Sequence, residues 1–144
     1  MKISIKRIPY SRFDIVREIR KKIFEELGID KDSIFDSDDK SSDQILIMLG
    51  DIPIGTARLQ YDEKFARLER MGILKEYRKN GYGKLALEKI ILYCKSRKMK
   101  RITLHSIYDV KGFYQKFGFQ ETGSMFSRVG IPHVTMYLDL ILKP

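Results

Sequence analysis

The chain has 144 residues, 43% of them hydrophobic and 33% charged. That is the composition of one globular domain and excludes both a disordered chain and a pair of typical domains. No apolar run approaches the roughly 20 residues of a membrane-spanning helix, and the start, Met1-Lys2-Ile3-Ser4-Ile5-Lys6, lacks the apolar stretch of a secretion signal, so the chain reads as soluble and cytoplasmic. A net charge of +9 suits an anionic partner, while one cysteine, Cys94, and two separated histidines, His105 and His133, exclude an internal disulfide and a structural zinc site.

Residues 2–8 alternate as a half-buried strand does. A helix follows, capped by Ser11 or Asp14, with Ile15, Val16, Ile19, Ile23 and Leu27 at helical spacing and a stop near Gly28. Residues 30–43 carry six aspartates and read as a long loop with short helical pieces, a feature that in compact domains is usually functional or mobile. Strands at 44–49 and 54–61 flank the turn Gly50-Asp51-Ile52-Pro53, and a third, 65–74, pairs back after a turn around Asp62-Glu63-Lys64. The period then changes, because 83–97 places Leu87, Ile90, Ile91 and Cys94 on one helix face. A strand at 101–107, a short helix at 110–117 stopped by Gly118, and strands at 119–122 and 133–140 complete the chain. This order predicts a single α/β domain over 1–144, with one mixed, largely antiparallel sheet and helices on both faces.

Charge is unevenly placed. Residues 75–101 hold ten basic side chains against two acidic ones, Glu76 and Glu88, so nearly all the cationic excess lies there. The loop 30–43 is its acidic counterpart. Both read first as solvated surface, and cations at 95–101 suit a helix C-terminus.

The stretch from Glu69 to Ala86 runs strand, polar turn, helix. Gly81 and Gly83 let the backbone approach a ligand, and the free N–H groups of the helix that opens there point outward with the positive end of its dipole behind them. Three phosphate-binding patterns compete. A Walker-type loop fails at both ends, since Arg78 stands where its first Gly belongs and Leu85 follows Lys84 in place of the magnesium-holding hydroxyl. A dinucleotide fingerprint is formally present as Gly81-x-Gly83-x-x-Ala86, but polar residues separate it from its strand, and Arg101, Ile102 and Thr103 occupy the place of the ribose-binding acid. The third pattern, Arg78-x-x-Gly81-x-Gly83 after a strand and opening an amphipathic helix, resembles the Arg/Gln-x-x-Gly-x-Gly/Ala signature of the GNAT superfamily of N-acetyltransferases. Two further segments carry the resemblance. Gly112-Phe113-Tyr114-Gln115-Lys116-Phe117-Gly118-Phe119 is similar to the superfamily's Phe/Leu-Tyr-x-x-x-Gly-Phe element. Gly130-Ile131-Pro132-His133-Val134-Thr135-Met136 is similar to the Gly-Ile-Pro-His-x-x-Met ending of one branch, whose N-terminal half also has an acidic loop and a strand like Pro53-Ile54-Gly55-Thr56-Ala57-Arg58.

The resemblance implies acetyl-CoA as cosubstrate and no metal. Its pyrophosphate would lie on Arg78, Lys79, Asn80, Gly81, Tyr82, Gly83 and Lys84, and its pantetheine arm along Met71, Gly72 and Ile73. A backbone amide at Met71 or a neighbour would hold the oxyanion, and Tyr114 would be the general acid for the departing thiolate. The partner is an amine acceptor, a small molecule or a protein amine, which must lose a proton before it attacks. Glu69 is the candidate base, directly or through water; its structural reading is a strand carboxylate paired with Arg67 or Arg101. His105 and His133 are alternative bases and candidate acceptor contacts. The acidic loop would suit a cationic acceptor such as a polyamine, an amino sugar or a lysine side chain. One position departs from the pattern: the asparagine usual seven residues before the tyrosine is Ile107, which removes a cofactor contact from that strand. The competing function is a non-catalytic module, either an acyl-CoA sensor or a nucleic-acid binder using 75–101, although single-strand binding calls for more surface aromatics than Tyr77, Tyr82 and Tyr93. A homodimer is compatible with the resemblance, and nothing in the sequence points to a membrane partner.

Overall fold

Seven strands form one sheet, and the order of apolar residues along each decides which face it offers to a helix. The computed structural model describes residues 1–30 and 33–140. Strands β1 (Ile3–Ile8), β2 (Asp43–Leu49), β3 (Ile52–Asp62) and β4 (Phe65–Ile73) make an antiparallel half. Strand β5 (Arg101–Ile107) joins β4 in parallel, and β6 (Gln120–Arg128) and β7 (Ile131–Asp139) complete the order β1-β2-β3-β4-β5-β7-β6. With that single parallel pairing, the sheet is mixed and largely antiparallel, as the sequence predicts.

Helix α1 (Phe13–Glu25) packs on one face of the sheet, and α2 (Tyr82–Ser96) with the short α3 (Lys111–Gln115) on the other. Under α2, Ile45, Leu59, Leu68, Leu87, Ile90 and Met136 are buried together; under α1, Ile8, Phe13, Val16, Ile19, Ile23 and Leu46 are. The two-residue period of a strand explains the division, since Leu59 faces one core while its neighbour Arg58 turns to the other side. Cys94 is fully buried under α2, and burial pushes its thiol up to about 12.

Several predicted boundaries shift. Neither Ser11 nor Asp14 caps α1: Ser11 lies in a 3-10 turn over Tyr10–Arg12, and the cap position is Arg12, with no side-chain cap bond. The β2–β3 turn is Gly50 and Asp51 alone, because Ile52 pairs with Leu49 and Pro53 with Met48. Strand β6 continues to Arg128 instead of ending at 122; only Phe126 is half-buried, so no apolar alternation marks it.

Two irregularities shape the middle of the sheet. Strand β4 pairs with β5 only from Phe65–Arg101 to Leu68–Leu104, after which residues 69–73 and 105–107 have no partner across the gap. In the same place β4 gains a residue over β3, for Thr56 pairs with Gly72 but Arg58 with Glu69. This β-bulge has Arg70 in the left-handed region at φ 53°. Beside it, β3 and β4 leave no room for a side chain at Gly55, where a Cβ would stand 2.5 Å from the Gly72 carbonyl oxygen. Gly55→Ala is expected to cost about 1–3 kcal/mol, read as a lower urea midpoint at unchanged slope. Among the described residues no helix is long and apolar enough to cross a membrane, and no group of three or more His, Cys, Asp or Glu side chains could hold a metal ion.

Candidate active site

The parting of β4 from β5 opens a cleft of about 410 Å³, walled by residues 68–73, residues 104–107, the end of α1, Tyr114 and the β6–β7 turn. A second cavity of about 570 Å³ lies at the N-terminus of α2. Ile73 and Arg78 line both.

The second cavity is built by the turn the sequence singles out. Lys79 and Gly81 both take positive φ, 66° and 77°, and Gly81 occupies the cap position of α2 without a side-chain cap bond. The first amides of α2 are therefore open to a ligand. No atom lies within 4 Å of where a Gly81 Cβ would be. Arg78, Lys79, Gly81, Tyr82, Gly83 and Lys84 line the cavity, but Asn80 does not. Its amide donates instead to the carbonyls of Tyr77 (3.3 Å) and Arg78 (3.0 Å), which locks the turn. Arg78 is also structural in part, with Nε donating to the Ile73 carbonyl at 2.8 Å and Nη2 3.3 Å from Glu26. Sequence reading missed Phe113, Lys116 and Phe117 on the opposite wall. The Phe113 ring lies 3.7 Å from where a Gly83 Cβ would be, an ordinary contact that a side chain there would keep, so Gly83 carried no signal for it.

Met71, Gly72, Ile73 and Tyr114 line the first cleft. The Tyr114 ring is held edge-on by Phe113 and Phe119, with centroids 5.1 and 5.7 Å away. No hydrogen bond engages its hydroxyl among the described residues, and burial pushes the phenol up to about 12, so the group keeps its proton at neutral pH. Ile107 presents an apolar side chain to the same cleft.

The three candidate bases, Glu69, His105 and His133, line this cleft together. Glu69 Oε1 accepts from Arg58 Nη2 at 3.1 Å and from the Gln60 amide, and lies 3.7 Å from Arg67 Nε. The expected Arg67 pairing is thus the longest of three contacts, while Arg101 pairs with Asp139 at 2.6 Å instead. Glu69 Oε2 has no partner among the described residues. His105 Nδ1 is 3.0 Å from Thr135 Oγ1, and burial, followed by the charge of Arg128, lowers its pKa. His133 Nδ1 donates to the Ile131 carbonyl at 2.8 Å, which leaves Nε2 as the ring nitrogen without a partner among the described residues. Phe126 packs against both imidazoles, edge-on to His105 and stacked on His133.

The acidic loop corrects an expectation. Two of its aspartates are taken up by arginines, Asp39 in the interior and Asp36 at the surface. Arg20 donates to Asp39 at 2.9 Å, to Gln44 at 2.9 Å and to the Ile34 carbonyl at 3.0 Å. Arg58 reaches Asp36 at 2.6 Å and Asp39 at 3.1 Å, and Arg70 reaches Asp36 at 3.2 Å. Arg20, Arg58 and Asp39 are buried. At the end of the loop, Asp43 accepts from the hydroxyls of Tyr61 and Tyr93 at 2.6 and 3.1 Å.

Known proteins are similar to this chain in sequence and in fold. Residues 25–140 match the model of the acetyltransferase (GNAT) domain. The Bacillus subtilis protein BSU40680, which carries an acetyltransferase name, is 37% identical over 123 residues, or 83% of this chain and 84% of its own. A crystal structure named as an N-acetyltransferase from Lactobacillus plantarum superposes with a TM-score of 0.87 at 26% identity, over 98% of this chain and 100% of that one. A GNAT acetyltransferase from Elizabethkingia anophelis, solved with acetyl-CoA bound, does so at 0.68 and 19% identity over 96% and 98%, a likeness of fold alone. A family match running from the end of α1 to the end of β7, with a relative aligned along most of both chains, establishes that this protein belongs to the GNAT acetyltransferases.

Proposed function

We propose that the protein moves the acetyl group of acetyl-CoA to an amine by direct attack in a ternary complex. The observation that carries this reading is the gap between β4 and β5, which brings the unpaired wall of β4, Tyr114 and the candidate bases into one cleft. That cleft meets the cationic cavity of α2 at Ile73 and Arg78. The acetyl-CoA bound in the Elizabethkingia relative supports the same ligand here.

The residues present fit such a ligand. The open amides at the start of α2, with Lys79, Lys84 and Lys116 around them, suit a pyrophosphate. Residues 71–73 have no strand partner toward β5, so their backbone groups are available to the amides of a pantetheine arm, as in strand addition. The Met71 N–H would then polarise the thioester carbonyl and hold the oxyanion. Arg78 and Asn80 keep the turn in shape.

Glu69 Oε2 takes the amine proton, with its other oxygen anchored by Arg58 and Gln60. His133 Nε2 is the second candidate for that step. The nitrogen bonds to the carbonyl carbon, the carbon–sulfur bond breaks, and the thiolate receives the Tyr114 proton. A free hydroxyl on Tyr114 favours turnover over the acyl-CoA sensor.

Calorimetric titration with acetyl-CoA tests the reading, with NADH and a short DNA duplex alongside. Binding in the micromolar range is expected, abolished in Gly81→Glu and weakened about tenfold in Lys116→Glu, which leaves the backbone turn alone. Heat from DNA or NADH and none from acetyl-CoA would overturn it.

A further inference from the structure

The cleft between β4 and β5 is lined by three arginines, Arg70, Arg78 and Arg128, and one carboxylate, Glu69. Glu69 is held by Arg58, Arg78 by Glu26 and Arg70 by Asp36. Arg128 is exposed, and its side chain has no hydrogen bond or ion pair among the described residues. Burial lowers the pKa of both Arg70 and His105, and the charge of Arg128 adds to that lowering in each. The cleft therefore carries a surplus cation that no protein acid neutralises.

The backbone holds Arg128 over the cleft. Arg128 pairs with Ile131 across a two-residue turn in which Val129 and Gly130 both have positive φ, 48° and 76°. Such hairpin turns favour Asn-Gly, and a β-branched residue at the first position is strained. Val129 nevertheless stands there and lines the cleft beside Arg128. Backbone strain of this kind persists at ligand sites. Val129 is 51% exposed and Leu27, at the end of α1 on the same cleft, 43%.

We propose that the acceptor is an apolar amine that carries a carboxylate. Its carboxylate pairs with Arg128, its hydrocarbon part lies against Leu27 and Val129, and its nitrogen faces Glu69 and His133. A guanidinium binds a carboxylate through two parallel hydrogen bonds. A polycationic acceptor would be repelled by Arg128 and Arg70, while Asp36 and Asp39 are already paired with arginines. The proposal rests on the acetyltransferase reading for what happens at the nitrogen: a carbon–nitrogen bond forms, the carbon–sulfur bond of acetyl-CoA breaks, the amine proton passes to Glu69 and the CoA thiolate takes the Tyr114 proton, after which Glu69 releases a proton to solvent and Tyr114 regains one from it. The carboxylate is unchanged.

The test uses the full-length protein and two pairs of acceptors that differ only in the carboxylate, tyrosine against tyramine and phenylalanine against phenethylamine, followed by CoA thiol release. Each amino acid is expected to exceed its amine in kcat/KM by about tenfold or more, the scale of a charge-assisted bidentate contact, with the difference mainly in KM. Arg128→Gln should bring the ratio to about one, and Arg128→Lys should recover part of it. Binding of N-acetyltyrosine and N-acetyltyramine to the same proteins without acetyl-CoA reads the preference independently of turnover. A ratio near one in the unmodified protein, or one that survives Arg128→Gln in a variant of unchanged melting temperature, overturns the proposal. Absence of acetyl-CoA binding overturns the acetyltransferase reading instead, and product binding then decides the carboxylate preference by itself.

Discussion

Tyr114→Phe is expected to lower kcat by about 10²-fold or more and to leave the acetyl-CoA dissociation constant within about twofold, the signature of a lost proton donor. The substitution is a clean one. The ring keeps its edge-on contacts with Phe113 and Phe119, and the hydroxyl has no partner among the described residues that its removal would orphan. A phenol is a poor acid in water, but it needs only to be close to the thiolate and still protonated. Burial raises the Tyr114 value from 10.0 to about 12, so the proton is retained through the whole neutral and mildly alkaline range. The alkaline side of the rate profile should therefore show no decline from this group below about pH 10. Steady-state rates and calorimetry on the variant provide the check. A kcat within threefold of the unmodified protein would assign the proton to solvent and remove Tyr114 from the mechanism.

Arg58→Met is expected to cost about 3–5 kcal/mol at neutral pH, because it removes the one cation that Asp36, Asp39 and Glu69 share and leaves Asp39 to Arg20, Asp36 to Arg70 and Glu69 to the distant Arg67. The Arg58 side chain is 1% exposed and contacts Asp36, Asp39 and Glu69. Burial by itself would raise the Asp39 carboxyl; Arg20 beside it, through charge and hydrogen bond, and the Asp36 amide hold it below its ordinary value. Asp36 follows the same logic, with burial opposed by Arg58 and then by Arg70. Both folded-state values lie below the unfolded ones, so the stabilisation is present above about pH 4 and is lost as pH falls through the folded values. Urea unfolding at pH 7 and pH 3 tests this. The gap between the unmodified protein and the variant should be wide at pH 7 and narrow at pH 3, and a gap that is equal at both would show that the carboxylates owe nothing to Arg58.

The same network marks where the sequence ceased to be readable. Gly81, Gly83 and Tyr114 were visible because each belongs to a short local pattern, and most strands announced themselves by alternation. Arg20 has its acid 19 positions away and Arg58 meets Asp36 across 22, so neither pairing leaves a trace in any local window. Arg20 lies on the α1 face that also buries Val16, Ile19 and Ile23, a place that hydrophobic spacing alone assigns to apolar residues. The bulge at Arg70 is equally silent, since arginine has no special ease in the left-handed region that would advertise it. Strand β6 escaped for the opposite reason. It is an edge strand with almost every side chain in solvent, and packing imposes no period on it. The overlooked stretch ends at Arg128, which lines the cleft.

The two cavities share Ile73 and Arg78, and otherwise their walls come from different parts of the chain. One is drawn from the start of α2 and the Phe113 side of α3, the other from the end of α1, the open edges of β4 and β5, Tyr114 of α3 and a hairpin tip. Two nearly disjoint sets of residues can drift independently. A lineage can rewrite the hairpin tip, where Val129 already sits in a conformation that asparagine or glycine would take more readily, without disturbing the amides that open α2. On the proposed assignment of the two cavities, selectivity for the acceptor is in this way insulated from affinity for acetyl-CoA, and a new acceptor would be a few substitutions at one turn away from the same donor site.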